Sequence, residues 1–401
     1  MEMANNSHLG YCTNIHPGET WCETLANIEN HVLVVKQKFC PQKPFGVGLR
    51  LSHRACQELI EQGVGELQDI CAKNNIYVFT INGFIYGHFH KKPVKKGVYL
   101  PDWSSKERVL FSNALAHILS KVLPENTTGT ISTVPVGFKD RFLSESLVTE
   151  AANRLIEHII ELYHIKKQTG KKIVTCLEPE PGCYIETVAE TIDFFRTFIF
   201  NENNYKTFSE RTQQTREQSE AFIKNHLGIC YDTCHMAIEY EDAKRALLLL
   251  EENEIVIGKV QISSAIKIEF QAHDKSIMEC LRPFVDKIYL HQVVENRNGK
   301  LTRFSDLPEA IEQLLQYKEN DFVEWRIHFH IPIFMDNMKL PIRSTQKHIT
   351  ETLSYLKKQS ICEHFEVETY TWDVLPEEYR KISLHDSITR ELQWALEQLR
   401  S

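Results

Sequence analysis

No apolar run in this chain reaches the roughly 18 residues that a membrane-spanning helix needs, so direct membrane insertion is not expected. The opening residues, MEMANNSHLGYCTNIHPGE, contain neither the basic nor the apolar stretch that directs export, which makes a cytoplasmic location the expectation. No CxxC pair occurs, and this argues against a zinc ribbon. The eleven cysteines are odd in number and irregularly spaced, and Cys176 and Cys230 sit inside apolar runs, so reduced and mostly buried thiols are expected rather than disulfides. A long basic stretch is also missing. With a formal net charge of −8, nucleic acid is not an expected partner, because phosphate binding relies on clustered Lys and Arg. Lys91, Lys92, Lys95 and Lys96 form the one basic cluster, which reads either as a solvated loop tip or as a lure for an anionic group. No tandem repeat, low-complexity segment or Pro/Gly-rich linker divides the chain.

What is present is alternation. The 401 residues, 42% hydrophobic and 25% charged, are enough to bury a large core. Short β-branched or aromatic runs alternate with longer segments of helical spacing from end to end, and that order predicts a parallel sheet with helices outside it. Strands are predicted at 10–14, 47–51, 77–82, 130–134, 173–178, 228–232, 259–263 and 365–370, enough to close an α/β fold of the (β/α)₈ TIM-barrel type. Leu147, Ala151, Leu155, Ile159 and Leu162 make one apolar stripe between Ser144 and Gly170. Ser52, the Thr187/Glu190 pair and Asp306 with Pro308 mark further helix starts. A polar helix is predicted around 212–225. Two further extended runs, 287–294 and 323–334, lie between strand seven and the last strand; they read as a hairpin insertion on the barrel mouth, or one of them as the true seventh or eighth strand. A single domain over 1–401 with a C-terminal helical extension from about 374 is expected.

Active sites of parallel barrels form where strands end, and polar residues accumulate there. The fifth strand ends in Glu178-Pro-Glu180-Pro, the sixth in Asp232-Thr-Cys-His235, and the last carries Glu368. Carboxylates converging on one dry place repel one another and lose hydration unless a cation compensates. Oxygen donors with imidazoles suit Mn²⁺, Mg²⁺, Zn²⁺ or Co²⁺. The proposed ligands are Glu178, Asp232, His235, Gln261, His328, His330 and Glu368, with Glu178, Glu368 and His235 as the groups that would move protons. His328 and His330 alternate on one face of an extended run, whereas Gln261 is equally readable as a hydrogen-bonded core amide. Asn14, His16, Asn82, His88, His90 and Trp372 are candidate contacts for a small-molecule metabolite. Trp21, Phe84, Tyr86, Tyr99 and Trp103 are either pocket lining or plain core.

A set of segments spread over nearly the whole chain, LGYCTNIHPGETW, FGVGLRLS, YVFTINGFIYG with VYLPDW, ISTVPVGFK, CLEPEPGCYIE, GICYDTCHMA, RIHFHIPIF and FEVETYTWDVLP, resembles the metabolite-traffic protein EboE family, a branch of the xylose isomerase-like barrels. The resemblance implies a metal held by a glutamate after strand five, an aspartate after strand six in an Asp-x-x-His pattern, a histidine after strand seven and a glutamate after strand eight. Glu178, Asp232 with His235, and Glu368 match that pattern, while Gln261 stands where the histidine is usual unless His328 or His330 takes its place. The resemblance further implies isomerase-type or handover work on a secondary-metabolite precursor, beside protein partners of the same gene cluster that include membrane components.

Overall fold

The computed structural model describes residues 1–3, 6–90, 94–272, 274, 276–317, 321–338 and 341–400. Seven strands come first, His8–Tyr11 (β1), Phe45–Arg50 (β2), Ile76–Asn82 (β3), Gly129–Thr133 (β4), Ile173–Leu177 (β5), Leu227–Asp232 (β6) and Val256–Ile262 (β7). Five more, Ser264–Gln271 (β8), Val293–Arg297 (β9), Lys300–Phe304 (β10), Phe322–Ile331 (β11) and Ile342–Ser344 (β12), precede the last, His364–Val367 (β13). β1 to β7 and β13 form an eight-stranded sheet in the order β1-β13-β7-β6-β5-β4-β3-β2, and every pairing in it is parallel. Cys12 of the first strand's end bridges Gly48 of β2, which nearly closes the barrel. All eight predicted barrel strands are present, in order, with ends shifted by a few residues. The sixth, for example, is buried along its whole length, as expected of a strand covered on both faces.

Local chemistry sets the helices. The predicted stripe becomes a helix over Glu145–Thr169, whose start is capped by Ser144 and whose end is turned by Gly170 at φ 73°. Thr187 and Glu190 form the expected capping box, Ser52 accepts from the Ala55 amide, and Asp306 caps Leu307–Leu314. The polar segment before β6 folds as two helices, Glu202–Thr212 and Arg216–His226. The second starts later than expected because Thr215 and Gln218 build their own capping box there. Near the C-terminus, Leu384–Arg400 packs against β1 and β13.

The insertion is larger than a hairpin. β8 to β12 form a five-stranded antiparallel sheet, order β10-β9-β11-β8-β12. Neither extended run is a barrel strand, and the first begins as a strand only at Val293. β11 pairs with β8 and β9 up to Ile327, after which its register with β8 shifts before Ile331. That irregularity falls at His328 and His330, and breaks of this kind commonly re-aim side chains beside a site. All eleven cysteines are free thiols, most of them buried. Among the described residues no helix is long and apolar enough to cross a membrane.

Candidate metal centre

Glu178 and Glu368 each stand one residue beyond a barrel strand, and Asp232 ends β6. The neighbouring strand anchors the two glutamates through their backbones: the Glu178 amide donates to Thr133 O at 3.0 Å and the Glu368 amide to Ile262 O at 3.1 Å. Carboxylate oxygens of Glu178, Asp232 and Glu368 lie within 4.8 Å of one another, all buried. This is the convergence that the sequence predicts.

Asp232 is also the N-cap of the short helix Thr233–Ile238. Its Oδ1 accepts from the Cys234 amide (2.7 Å), the His235 amide (3.0 Å) and Ser263 Oγ (2.7 Å). Oδ2 is buried with no hydrogen-bond partner, and so is Oε2 of Glu178. Glu368 is steadied differently, its Oε1 accepting from Asn14 Nδ2 at 2.7 Å and Asn82 Nδ2 at 3.2 Å. Buried carboxylate oxygens without donors are costly, and a cation is the partner that would satisfy several at once.

Three imidazoles complete the floor. His235 Nδ1 faces Pro179 O at 2.9 Å, His330 Nδ1 faces Glu368 O at 2.9 Å, and His328 Nδ1 faces Gln292 Oε1 at 2.7 Å. The Gln292 amide is itself oriented by donating Nε2 to Pro181 O at 2.8 Å. Each acceptor fixes the proton on Nδ1, which leaves each Nε2 with a lone pair. Yet His328 Nε2 lies 3.1 Å from His235 Nε2 and 3.2 Å from His330 Nε2. Lone pairs brought together in this way repel, and anchoring of Nδ1 by an oxygen is how metal-binding histidines are held. The donor set therefore fits a divalent ion.

Burial, with Glu368 and Asp232 close by, pushes the Glu178 carboxyl well above the ordinary carboxylate range. Burial, then Asp232 and Glu366, does the same to Glu368. Asp232 goes the other way: burial works to raise it, but His235, His330 and the donors on Oδ1 together bring it below its usual value. Burial also lowers His330 to about 4 and His328 well below the usual imidazole range, so both are neutral near pH 7. Without a cation, burial and mutual repulsion thus favour the neutral acid form at Glu178 and Glu368. A metal would displace those protons.

Above this floor opens a cavity of about 530 Å³ of non-atom space, part of it open solvent. Glu178, Glu180, His235, His328 and Glu368 form its polar end, and Phe84, Ile85, Phe89, Val98, Tyr289 and Leu290 form apolar walls. Of the predicted metabolite contacts, Asn14 and Asn82 line it. His90 sits just behind, bonded through Nε2 to Asn14 O (2.6 Å) and through Nδ1 to Tyr289 OH (2.8 Å). Three lie elsewhere. His16 bonds Tyr11 and stacks on His31, because the backbone past β1 turns it into the outer layer; His88 points to solvent, its ring 57% exposed; Trp372 is buried but outside the lining. Of the aromatics, Phe84 and Tyr99 line the cavity, whereas Trp21 and Trp103 are core and Tyr86 stacks on His53. Lys95, at the rim, pairs with Asp306 at 2.6 Å, and Lys96 pairs with Asp140 at 2.7 Å; Lys91 and Lys92 lie outside the described residues.

Gln261 is fully buried in β7, in register with Asp232 on one side and Glu366 on the other. Neither of its amide atoms has a hydrogen-bond partner among the described protein groups. Sequence reasoning passed over Glu180, whose carboxylate lies within ligand reach of His235 and His328. Its signal was the repeated Glu-Pro of Glu178-Pro-Glu180-Pro. Gln292 and Tyr370, whose hydroxyl donates to His328 Nε2 at 3.3 Å, had no such signal.

No protein-family model matches the chain, and no curated protein matches it. Solved structures do. A xylose isomerase-like TIM barrel protein from Mycobacterium smegmatis, solved in complex with magnesium, is similar over 100% of this chain and 98% of its own, with a TM-score of 0.50 and 8% identity. The IolI protein with a bound zinc atom (TM-score 0.49, 12% identity) and a D-tagatose 3-epimerase-like protein (TM-score 0.49, 13% identity) are each similar over 98% of both chains. The fold is that of a xylose isomerase-like TIM barrel, enlarged by the antiparallel sheet between β7 and β13.

Proposed function

We propose that this chain binds a divalent metal ion through Glu178, Asp232 and Glu368, with histidines from the cavity floor, and acts on a small oxygenated metabolite by proton transfer, as an isomerase or epimerase does. The observation that carries the reading is the meeting of three carboxylates from three separate strand ends within 4.8 Å, in a buried floor, with two of their oxygens unpartnered. A bound Mn²⁺, Mg²⁺, Zn²⁺ or Co²⁺ would polarise substrate oxygens and make a neighbouring C–H or O–H more acidic. Magnesium, present in the M. smegmatis structure, is a sensible first ion to try.

The protein's own groups divide the remaining work. Asn14 and Asn82 hold one oxygen of Glu368, and the unpartnered Oε2 of Glu178 faces the same place as a proton acceptor. His235, fixed through Nδ1, offers Nε2 as a ligand or a second proton carrier. The apolar walls exclude water from the body of the substrate. The resemblance of the sequence segments to the EboE proteins supports a secondary-metabolite precursor as the substrate and proteins of the same gene cluster as partners.

Gln261 favours a second reading. An amide at the seventh strand end, where the resemblance implies histidine, suits a protein that keeps the pocket and hands its ligand on unchanged. Incubating the metal-loaded chain in heavy water with a panel of ketoses and other hydroxycarbonyl compounds separates the two by proton NMR. Deuterium incorporated beside a carbonyl, and lost in Glu178→Gln, is the expected result; saturable binding with no exchange would assign the chain to handover instead.

A further inference from the structure

Among the described residues, the lining of the cavity divides by chemistry as well as by position. Its buried polar atoms without a partner, Asn14 Oδ1 and Glu178 Oε2, both lie at the floor. The polar groups of the walls are already engaged. Tyr99 OH donates to Glu180 Oε1 at 2.7 Å and accepts from Gln292 Nε2 at 2.9 Å, Tyr370 OH donates to His328 Nε2 at 3.3 Å, and Lys95 is paired with Asp306. His90 Nε2 faces Asn14 O, which leaves Nδ1 as the acceptor of the Tyr289 hydroxyl at 2.8 Å. The three tyrosine hydroxyl protons thus point at protein acceptors rather than into the cavity.

What the walls offer instead is hydrocarbon and ring. Phe89, Tyr289 and Tyr370 form a mutual cluster, with ring centroids 5.1 Å (Phe89–Tyr289), 5.1 Å (Phe89–Tyr370) and 5.3 Å (Tyr289–Tyr370) apart. The cluster stands directly on the floor, since the Tyr370 ring centroid lies 4.5 Å from that of His330. Ile85, Val98 and Leu290 add aliphatic surface beside it. Phe89 comes from the segment after β3, Tyr289 and Leu290 from the insertion ahead of β9, and Tyr370 from beyond β13. The enlargement of the barrel therefore adds apolar wall to the cavity.

We propose that the substrate is an amphiphile and not a free sugar: an oxygenated head of one or two oxygens meets the metal floor, and an apolar body of ring size fills the space between the walls. This rests on the metal reading above and narrows it. A sugar brings a hydroxyl on nearly every carbon, and each one set against hydrocarbon or a ring face loses water without replacing it. An aromatic or alicyclic body loses nothing polar there and gains contact with the three clustered rings.

The test uses probes that share one hydroxyketone head and differ in the body: a methyl in hydroxyacetone, a phenyl ring in 2-hydroxyacetophenone and a hydroxylated chain in xylulose. Calorimetric titration of the Mg²⁺-loaded full chain, with metal content measured on the same sample, is expected to give 2-hydroxyacetophenone an affinity about 10- to 100-fold above either of the others. Phe89→Ala should lower that preference about 10-fold with metal content unchanged. Val98→Ser, at a half-buried position, serves if the first variant fails to fold. Xylulose bound as tightly as 2-hydroxyacetophenone, or no binding of any probe, overturns the apolar body, and an ion present in the same sample leaves the metal reading standing. The expected preference in a chain that holds no ion supports the apolar body and overturns the metal reading instead.

Discussion

Lys259 Nζ lies 2.5 Å from Glu366 Oε2 inside the barrel, and neither side chain has any exposed surface. Both stand two residues before site positions, Lys259 before Gln261 on β7 and Glu366 before Glu368 on β13, so the pair occupies the next layer inward. Glu366 fits there because β2 offers Gly48, where a Cβ would come within 1.2 Å of Glu366 Oε1. Burial opposes the lysine's charge, and Glu366 foremost among its neighbours more than offsets this, holding the ammonium above its ordinary range.

Lys259→Met leaves a buried carboxylate without its cation. The expected loss is about 3–5 kcal/mol of unfolding free energy, measured by denaturant titration. Lys259→Met combined with Glu366→Leu should recover most of it, since an apolar pair of similar volume is often as stable as a buried ion pair. A neutral single variant would show that the pair does not hold the inner layer.

Glu391 provides a pH dependence away from the metal centre. It is buried in the C-terminal helix, accepts from Thr369 Oγ1 (2.6 Å) and the Ile333 amide (3.1 Å), and burial raises its carboxyl to about 7. The folded chain keeps this proton up to about pH 7, whereas the unfolded chain releases it near 4.5. Its contribution is therefore level below 4.5, falls as pH rises toward 7, and is level again above, a change of about 3 kcal/mol. Glu391→Gln keeps an oxygen for both donors and removes the titration. Melts from pH 4 to 8 should show the variant gaining on the wild type across that window; parallel curves would refute the assignment.

Arg108 clamps the rim of the cavity from beneath. Fully buried, it donates to Pro101 O (2.7 Å), Gly83 O (2.8 Å) and Phe84 O (3.1 Å), tying the residues after β3 to the start of the following helix. Arg108→Met strands three carbonyls and should cost about 3 kcal/mol or more. Faster hydrogen exchange at 83–86 would accompany the loss, and a variant as stable as the wild type would contradict the clamp.

Gln292 positions His328 without being a ligand itself. Gln292→Leu removes the acceptor on Nδ1 and frees the ring to turn. Affinity for Zn²⁺, followed by competition with a chromophoric chelator, is expected to fall about 10- to 100-fold. Unchanged affinity would mean that the ring needs no such anchor.

The barrel was legible because most of its strands are short runs rich in β-branched or aromatic residues that end at or beside a polar residue, and three of those ends carry Glu178, Asp232 and Glu368. The insertion was only half legible, for three separate reasons. β8 follows β7 after Ser263 alone, so no turn residue marks the start of a second strand; β10 is only partly buried and lacks an apolar face; β12 has three residues. His16 and His88 show a different limit. Standing next to a strand end does not fix which way a side chain points, and the backbone beyond β1 and β3 turns these two outward. Conversely, nothing in the sequence shows that His328 and His330 would meet His235, because that contact depends on how the inserted sheet folds back over the barrel mouth.

Anomalous diffraction from crystals of the metal-loaded chain, recorded on either side of the manganese or zinc absorption edge, tests the central claim most directly. The account predicts an anomalous peak about 2.0–2.6 Å from oxygens of Glu178, Asp232 and Glu368. A floor with no peak there, its carboxylates bonded to water or to each other, would contradict it.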